Sequence, residues 1–567
     1  MAGQRCPLSL PGSALFACIV LLLLSSYTAS SPILTAHEDN DFLDCISFNT
    51  MHTKLPVYTP NTTSYTSILE SKIQNLRFSS PDADAAATPN NKPRFIVTPT
   101  HESHVQVVVV CSRKHDLQIR VRSGGHDFEG LSYRSYVPFV LMDLFNLGAI
   151  DVNIEDGSAW VEAGATLGEV CYRIAEKSPV HGFSAGKAPT IGVGGHISGA
   201  GHGTLLRKYG TAADNIIDAR LVNVKGEFLN RETMGEDLFW AIRGGGAASF
   251  GVVLAWKIKL VAVPPTVTVS TFERTYEEGV TDLVYKWQTV ATHEVPEELN
   301  IEVDISVRNK NDASTTGRLG KTIVATYRIM YLGRSKKLMQ LMENKFAELG
   351  MEEKDCMEMS WIESVVYFAQ FPDGMVPIER LLSKESELKI TFKVKSDFVT
   401  KPMLKTTLEG IWKMLEENEF VLSMVPWGGR VSAIPENEIA FPHRDGNLYM
   451  IGYLAIWDDN ETTEAQEKYL VQVREMYDRM TPFVSKSPRA AYFIYRDLDL
   501  GQNTMSGASI HSMGCASWGQ QYFKSNCPKL MKVKSNVDPD NFFRDEQTIL
   551  AIHEYSSVEE HGALVDS

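Results

Sequence analysis

The sequence predicts an α+β protein made of two or three packed domains. Three observations carry this. Its 567 residues exceed one ordinary core and 44% of them are apolar. Short β-rich runs alternate with segments of helical apolar spacing. The pair Pro264-Pro265 separates two such stretches.

Taken in order, the chain opens with Arg5, the apolar run Ala14 to Leu24, and small residues at Ser26, Ala29 and Ser30. This is the order of a cleaved signal peptide over residues 1–30, and the run is shorter than the ~20 residues that span a bilayer. A secretory location follows, extracellular, apoplastic or vacuolar, with no membrane anchor after cleavage. Residues 31–93 read as a helical lead-in, helical over Tyr65 to Arg77, followed by a polar surface linker over Pro81 to Lys92. Residues 94–263 form an α+β domain with strands expected at Phe95–Val97, Val105–Val110, Leu117–Val121 and Phe139–Met142, and a helix at Leu167–Lys177.

A second unit, 264–488, begins with a strand over Thr266–Thr275 and a helix over Tyr276–Glu294. Strands at Leu299–Val307, Thr322–Met330 and Leu388–Val394 then mix with helices at Ser335–Leu349 and Lys405–Asn418. A last segment, 489–550, precedes a tail of 551–567. There is no internal repeat and no low-complexity tract.

The formal charge of −15 excludes a phosphate-backbone ligand and favours a small neutral or cationic substrate. A monomer without nucleic-acid partners is expected. Cys6 and Cys18 leave with the signal, so six cysteines enter an oxidising compartment. The preferred bridge is Cys45 to Cys111, with Cys171, Cys356, Cys515 and Cys527 left open. Asn61-Thr62-Thr63 and Asn460-Glu461-Thr462 are glycosylation acceptors in that compartment.

Three glycine clusters lie in the first domain: Gly124-Gly125, the stretch Gly192 to Gly203, and Gly244 to Gly246. Glycine admits close backbone approach and positive φ, so such loops cradle phosphates with main-chain N–H groups. A dinucleotide fold of the strand–turn–helix kind is disfavoured, because Lys187-Ala188-Pro189 does not read as the strand it requires. His196 and His202 lack the thiol or carboxylate that would complete a metal set.

Arg122 to Tyr133 (RSGGHDFEGLSY), the Pro189 to Gly203 loop, and the strings YRDLDLG and DPDNFF resemble the berberine-bridge-enzyme-like oxidases of plants, cousins of the cannabinoid-acid synthases. The resemblance spans nearly the whole mature chain. It implies a two-part FAD-binding domain of the vanillyl-alcohol-oxidase/PCMH type, formed by about 94–263 and the 489–550 segment, with an inserted α+β substrate domain whose antiparallel sheet is covered by helices. It also implies FAD tethered on His126. By position in the motifs, Arg122, Ser123, Gly124, Gly125, Thr190, Gly192, Gly194, Gly195 and His196 form the cradle, and Asp214, Asn215, Val253, Tyr495 and Asn541 touch FAD elsewhere.

The sequence departs from that pattern at four places. Gly186-Lys187-Ala188-Pro189-Thr190 holds Ala188 where bicovalent members have a cysteine, so attachment through His126 alone is expected. Ile494 replaces an Asn before Tyr495. Tyr449 to Tyr453 lacks the usual Glu or Gln, and Ala247 replaces a Gly in a loop linked to oxygen access. Tyr495 is the candidate base; a free phenol has a pKa near 10, so it needs a cation, and Arg496 or Arg444 is available.

Two functions follow. The first is hydride transfer from a phenolic or alkaloid-like metabolite, or from a saccharide or monolignol, to the tethered flavin, with oxygen or another acceptor closing the cycle. The second resembles the mulberry Diels–Alderases: a redox-silent site joins prenylated phenolics by cycloaddition, with FAD as scaffold and Arg444 or Arg308 polarising a carbonyl.

Overall fold

The computed structural model describes residues 32–79, 92–310, 320–386, 389–418, 420–506, 509–511, 515 and 517–551. The signal peptide, nearly all of the Pro81–Lys92 linker and the tail beyond residue 551 lie outside the described residues. Residues up to Lys54 form one compact unit, whose described part is the helix Pro32–Asn49 followed by a turn. The rest of the chain forms the other.

In that larger unit, β1 (Val57–Tyr58), β2 (Phe95–Val97), β3 (Gln118–Arg122) and β4 (Phe139–Asp143) form a sheet in the order β1-β2-β4-β3. The next strands are β5 (Ile150–Asn153), β6 (Ser158–Glu162), β7 (His181–Gly182), β8 (Ile216–Val222), β9 (Phe228–Leu229), β10 (Val252–Lys259) and β11 (Val261–Ala262). They give an antiparallel sheet β5-β6-β10-β8-β9 and a short β7–β11 ladder. The parallel β2–β4–β3 core needs a crossover, and the segment before β3 supplies it as a helix, Glu102–Lys114, rather than the expected Val105–Val110 strand. Its valines have β propensity, yet Val105, Val108 and Val109 are buried at helical spacing while Val110 is 46% exposed. His101 caps the helix by accepting from Ser103 N.

The last large sheet is made of β12 (Val267–Thr275), β13 (Leu299–Asn309), β14 (Lys321–Tyr331), β15 (Met357–Met359), β16 (Thr391–Val399), β17 (Val421–Pro426) and β18 (Tyr449–Trp457). Their order is β15-β12-β14-β13-β17-β18-β16 and every pairing is antiparallel. Alternation along the strands sorts the two faces. Ile301, Val303 and Ile305, with Tyr327, Leu422, Ile451 and Tyr453, pack under the helices Val280–Thr289, Ser335–Lys345, Lys405–Asn418 and Thr463–Met480. Glu302, Asp304, Arg328, Ser423 and Gly452 occupy the opposite register positions. The expected Tyr276–Glu294 helix is broken at Gly279, which sits at φ +89°, and ends in a π turn over Val290–Glu294.

A buried ionic cluster locks three distant stretches together. Lys393 bonds Glu129 and, at 2.7 Å, Asp497; Lys395 bonds Asp497 and, at 3.0 Å, Asp499. Except for Asp499, each of these side chains is 2–3% exposed. Cys515 pairs with Cys527, a bridge that the sequence left open, while Cys171 and Cys356 are free thiols. Cys45 and Cys111 are each disulfide-bonded.

Candidate active site

Two glycine loops meet backbone to backbone at the end of β3. A Cβ on Gly124 would stand 2.2 Å from Gly192 N, and one on Gly192 would stand 2.0 Å from Ser123 Oγ. No larger residue fits at either position. Gly125 adopts φ +73°, and a Cβ on Gly195 would face open space. Ser123 Oγ donates to Ala163 O at 2.5 Å, while Gly194 lies over Ala163. The loop then carries His126 to Thr190, with Nε2 and Oγ1 3.0 Å apart. Burial pushes the His126 pKa down to about 4, so its imidazole is neutral at ordinary pH and one ring nitrogen carries a lone pair.

His126, Phe128, Ala188 and Thr190 form one wall of a cavity of about 260 Å³; Phe392, Val394, Leu454 and Ile456 from the large sheet form the other. Beside it stands Tyr495. Its ring centroid is 5.0 Å from Phe128, 5.2 Å from Tyr492 and 6.1 Å from His202. A Cβ on Gly452 would come 3.5 Å from Tyr495 Cε2. One position of the Tyr449–Tyr453 stretch therefore faces the tyrosine directly, and it carries no side chain. Ile494 packs on Gly199, where an added Cβ would be 2.4 Å from Cγ1.

Several expected site side chains turn into the protein instead. The Arg122 guanidinium is fully buried, bonded to Asp143 (2.7 Å) and to the carbonyls of Leu69 (2.6 Å) and Ile68 (2.7 Å), which leaves it no reach to a pyrophosphate. Arg444, also fully buried, clamps Asp214 at 2.9 and 2.6 Å and lies over Phe441, so it is a structural ion pair and not a polarising group. Asp214 spends its remaining capacity on Thr211, and the Asn215 amide donates to the carbonyls of Tyr209 and Thr211. His196 Nε2 accepts from Gly186 N at 3.1 Å and braces the loop. Val253 is buried on β10 beside a register shift. Arg496 bonds Asp545 at 3.0 Å, and Arg308, on the exposed end of β13, bonds Glu273 at 2.6 Å. None of the three arginines proposed as partners serves the cavity.

The residues present nonetheless fit a flavin nucleotide. The glycine contacts strip side chains from the cradle, Gly195 opens onto free space, and Asn541 holds a buried Nδ2 with no partner among the described residues while its Oδ1 accepts from Ala551 N. The FAD binding domain family matches residues 93–231, and the berberine and berberine-like family matches 491–550. Tetrahydroberberine oxidase of Berberis wilsoniae is 52% identical over 93% of this chain and 97% of its own. O-acetylstemmadenine oxidase of Catharanthus roseus is 46% identical over 94% and 97%.

The chain belongs to the berberine-bridge-enzyme-like family. It is an FAD-linked oxidase by that membership, and its substrate is a small molecule. The crystal structure of berberine bridge enzyme from Eschscholzia californica superposes with a TM-score of 0.81 at 36% identity, covering 90% of this chain and 99% of that one. Among the described residues no helix is long and apolar enough to cross a membrane.

Sequence reasoning missed the groups nearest Tyr495. Phe128 and Tyr492 flank its ring, and Lys187 pairs with Glu302 of β13. The signal was present in the alternation of β13, where Glu302 and Asp304 fall between buried Ile301, Val303 and Ile305, and so on the face away from the helices.

Proposed function

We propose that this enzyme oxidises an alkaloid-like or phenolic plant metabolite, with FAD held through His126 alone. The observation that carries the substrate class is the wall composition of the cavity: Phe128, Phe371, Phe392, Val394, Leu454 and Ile456 suit a planar apolar ring system better than a saccharide. The net charge of −15 adds a preference for a neutral or cationic ligand. The alkaloid substrates named for its relatives agree with both.

Bound FAD would supply a hydride acceptor for a substrate carbon, with oxygen or another acceptor closing the cycle. The chain's own residues do the rest. Neutral His126 would hold the flavin through a ring nitrogen, and Ala188 on the same wall offers no second nucleophile. Phe128 and Phe392, edge to face at 5.1 Å, orient a flat substrate. Tyr495 takes the hydroxyl proton of a phenolic substrate; burial raises its pKa, so it does this only with help from a nearby positive charge. With Ala188, Ala247 and Gly452 unreactive, a cycloaddition remains the competing reading, but its two polarising arginines are engaged in ion pairs away from the cavity.

Residence in the secretory pathway is part of this reading, supported by the disulfides and by the exposed side chains of Asn61 and Asn460. The test is anaerobic mixing of the holoenzyme with tetrahydroprotoberberine-type amines and prenylated phenols. Bleaching of the flavin, followed by peroxide release in air, is expected. Product formed while the flavin stays oxidised would replace this reading with cycloaddition. Acid precipitation should retain the yellow colour in the pellet; flavin left in the supernatant would refute the His126 bond.

A further inference from the structure

The positive charge that reaches Tyr495 comes from the loop that lost its cysteine. Lys187, between Gly186 and Ala188, crosses to β13 and pairs with Glu302, whose side chain is 4% exposed. The other Glu302 oxygen accepts from Asn300 Nδ2 at 3.1 Å. The pair borders Tyr495 on two sides. A Cβ on Gly186, next to Lys187, would stand 3.4 Å from His202 O, and the His202 ring lies 6.1 Å from that of Tyr495. Glu302 shares the sheet face of Gly452, whose added Cβ would meet Tyr495 at 3.5 Å. Lys187 favours the phenolate and Glu302 opposes it. The surrounding groups add little to this balance. His202 is held neutral by burial, Tyr492 is a buried phenol, Gly452 brings no side chain, and Arg328, beside Glu302 across the β13–β14 ladder, is paired with Asp304.

We propose that Lys187 is a positioning residue that sets the ionisation of Tyr495, with Glu302 metering its charge. The loop that offers no second flavin bond thereby supplies the control of proton handling that Gly452 cannot. The inference rests on Tyr495 being the proton acceptor. Lys187 is 29% exposed but tied to a carboxylate that is 4% exposed, so its charge is held in place and acts on the phenol more than that of a freely mobile surface lysine would.

The two halves of the pair predict opposite signs, which a merely structural bridge does not. The holoenzyme is labelled with tyrosine carrying 13C at Cζ, and the Tyr495 resonance is identified by its loss in Tyr495→Phe. Lys187→Met leaves Glu302 uncompensated, so the titration midpoint of Tyr495 rises by about one pH unit. Glu302→Gln frees the Lys187 charge, so the midpoint falls by a similar amount; Lys187→Arg stays close to wild type. The acid limb of the kcat/KM profile moves with the midpoint. Unmoved midpoints, or shifts of the same sign in Lys187→Met and Glu302→Gln, overturn the proposal. If Lys187→Met does not fold, Glu302→Gln decides alone: a midpoint that fails to fall overturns it. The resonance needs no turnover, so a flavin that no substrate bleaches would defeat the proposed oxidation and leave this result standing.

Discussion

Around Gly124 and Gly192 two loops meet through their backbones, whereas around Tyr495 the contacts are rings and charges from four separated stretches of chain. The first arrangement excludes side chains and so dictates its residues one by one: a Cβ at either glycine would fall 2.0–2.2 Å from another atom. The second tolerates exchange, because a ring or a charge can arrive from any strand that faces the cavity. Here Gly452 and Ile494 bring no proton-handling group to the tyrosine side, while the cradle glycines leave no room for any side chain. A substitution on the tyrosine side can thus alter proton handling without disturbing the glycine contacts on the other.

Four experiments test that contrast. Arg444→Ala belongs to neither region and should cost about 3–5 kcal/mol of stability by leaving Asp214 buried and unpaired. Denaturant midpoints measure the loss, and activity per folded molecule should be unchanged; a large drop in kcat would return Arg444 to the pocket. Tyr495→Phe removes the proton acceptor and should lower kcat/KM about 10²–10³-fold on a phenolic substrate, with flavin content intact. Equal activity would assign the ring to packing.

Gly124→Ala acts on the cradle and should cost about 1–3 kcal/mol by forcing backbone apart. Reduced flavin per protein, read from the absorbance ratio, should accompany the lower melting temperature. The smallest and broadest effect concerns acid. Burial holds His196 near a pKa of about 3 and His202 near about 4, and His443 well below its ordinary value. These histidines are neutral when folded and bind protons when unfolded below about pH 6.5, so their contribution to stability is full above that pH and is lost as pH falls toward 4. Urea unfolding between pH 7 and 4.5 should show proton uptake; a flat profile would mean that the histidines charge without unfolding.

Legibility in the sequence followed the same division. The Lys405–Asn418 helix was legible because its apolar positions, Leu408, Ile411, Trp412 and Leu415, repeat at helical spacing. The Val105–Val110 run was not, because six residues of β-prone composition conceal a register that only the packed face reveals. Within the site, the close-packed glycines were readable from local composition, whereas His126 was singled out only by the family resemblance of its loop. The fates of Arg122, Arg444 and Arg496 were not, since a guanidinium's partner is chosen by tertiary neighbours: Asp143, Asp214 and Asp545 lie 21, 230 and 49 residues away. Lys187 and Glu302, 115 residues apart, escaped for the same reason.

The buried cluster of Lys393 and Lys395 with Glu129, Asp497 and Asp499 bears on how the enzyme is made. Two lysines sunk in an interior are tolerable only once their carboxylates arrive, and Asp497 lies 104 and 102 residues further along the chain than Lys393 and Lys395. Tyr495 lies two residues before Asp497, on the strand of backbone that this closure fixes. The large sheet therefore waits, charged and unfinished, for the same few residues that complete the pocket. A chain cut short before Tyr495 would lack both the pocket's tyrosine and the two carboxylates that Lys395 bonds.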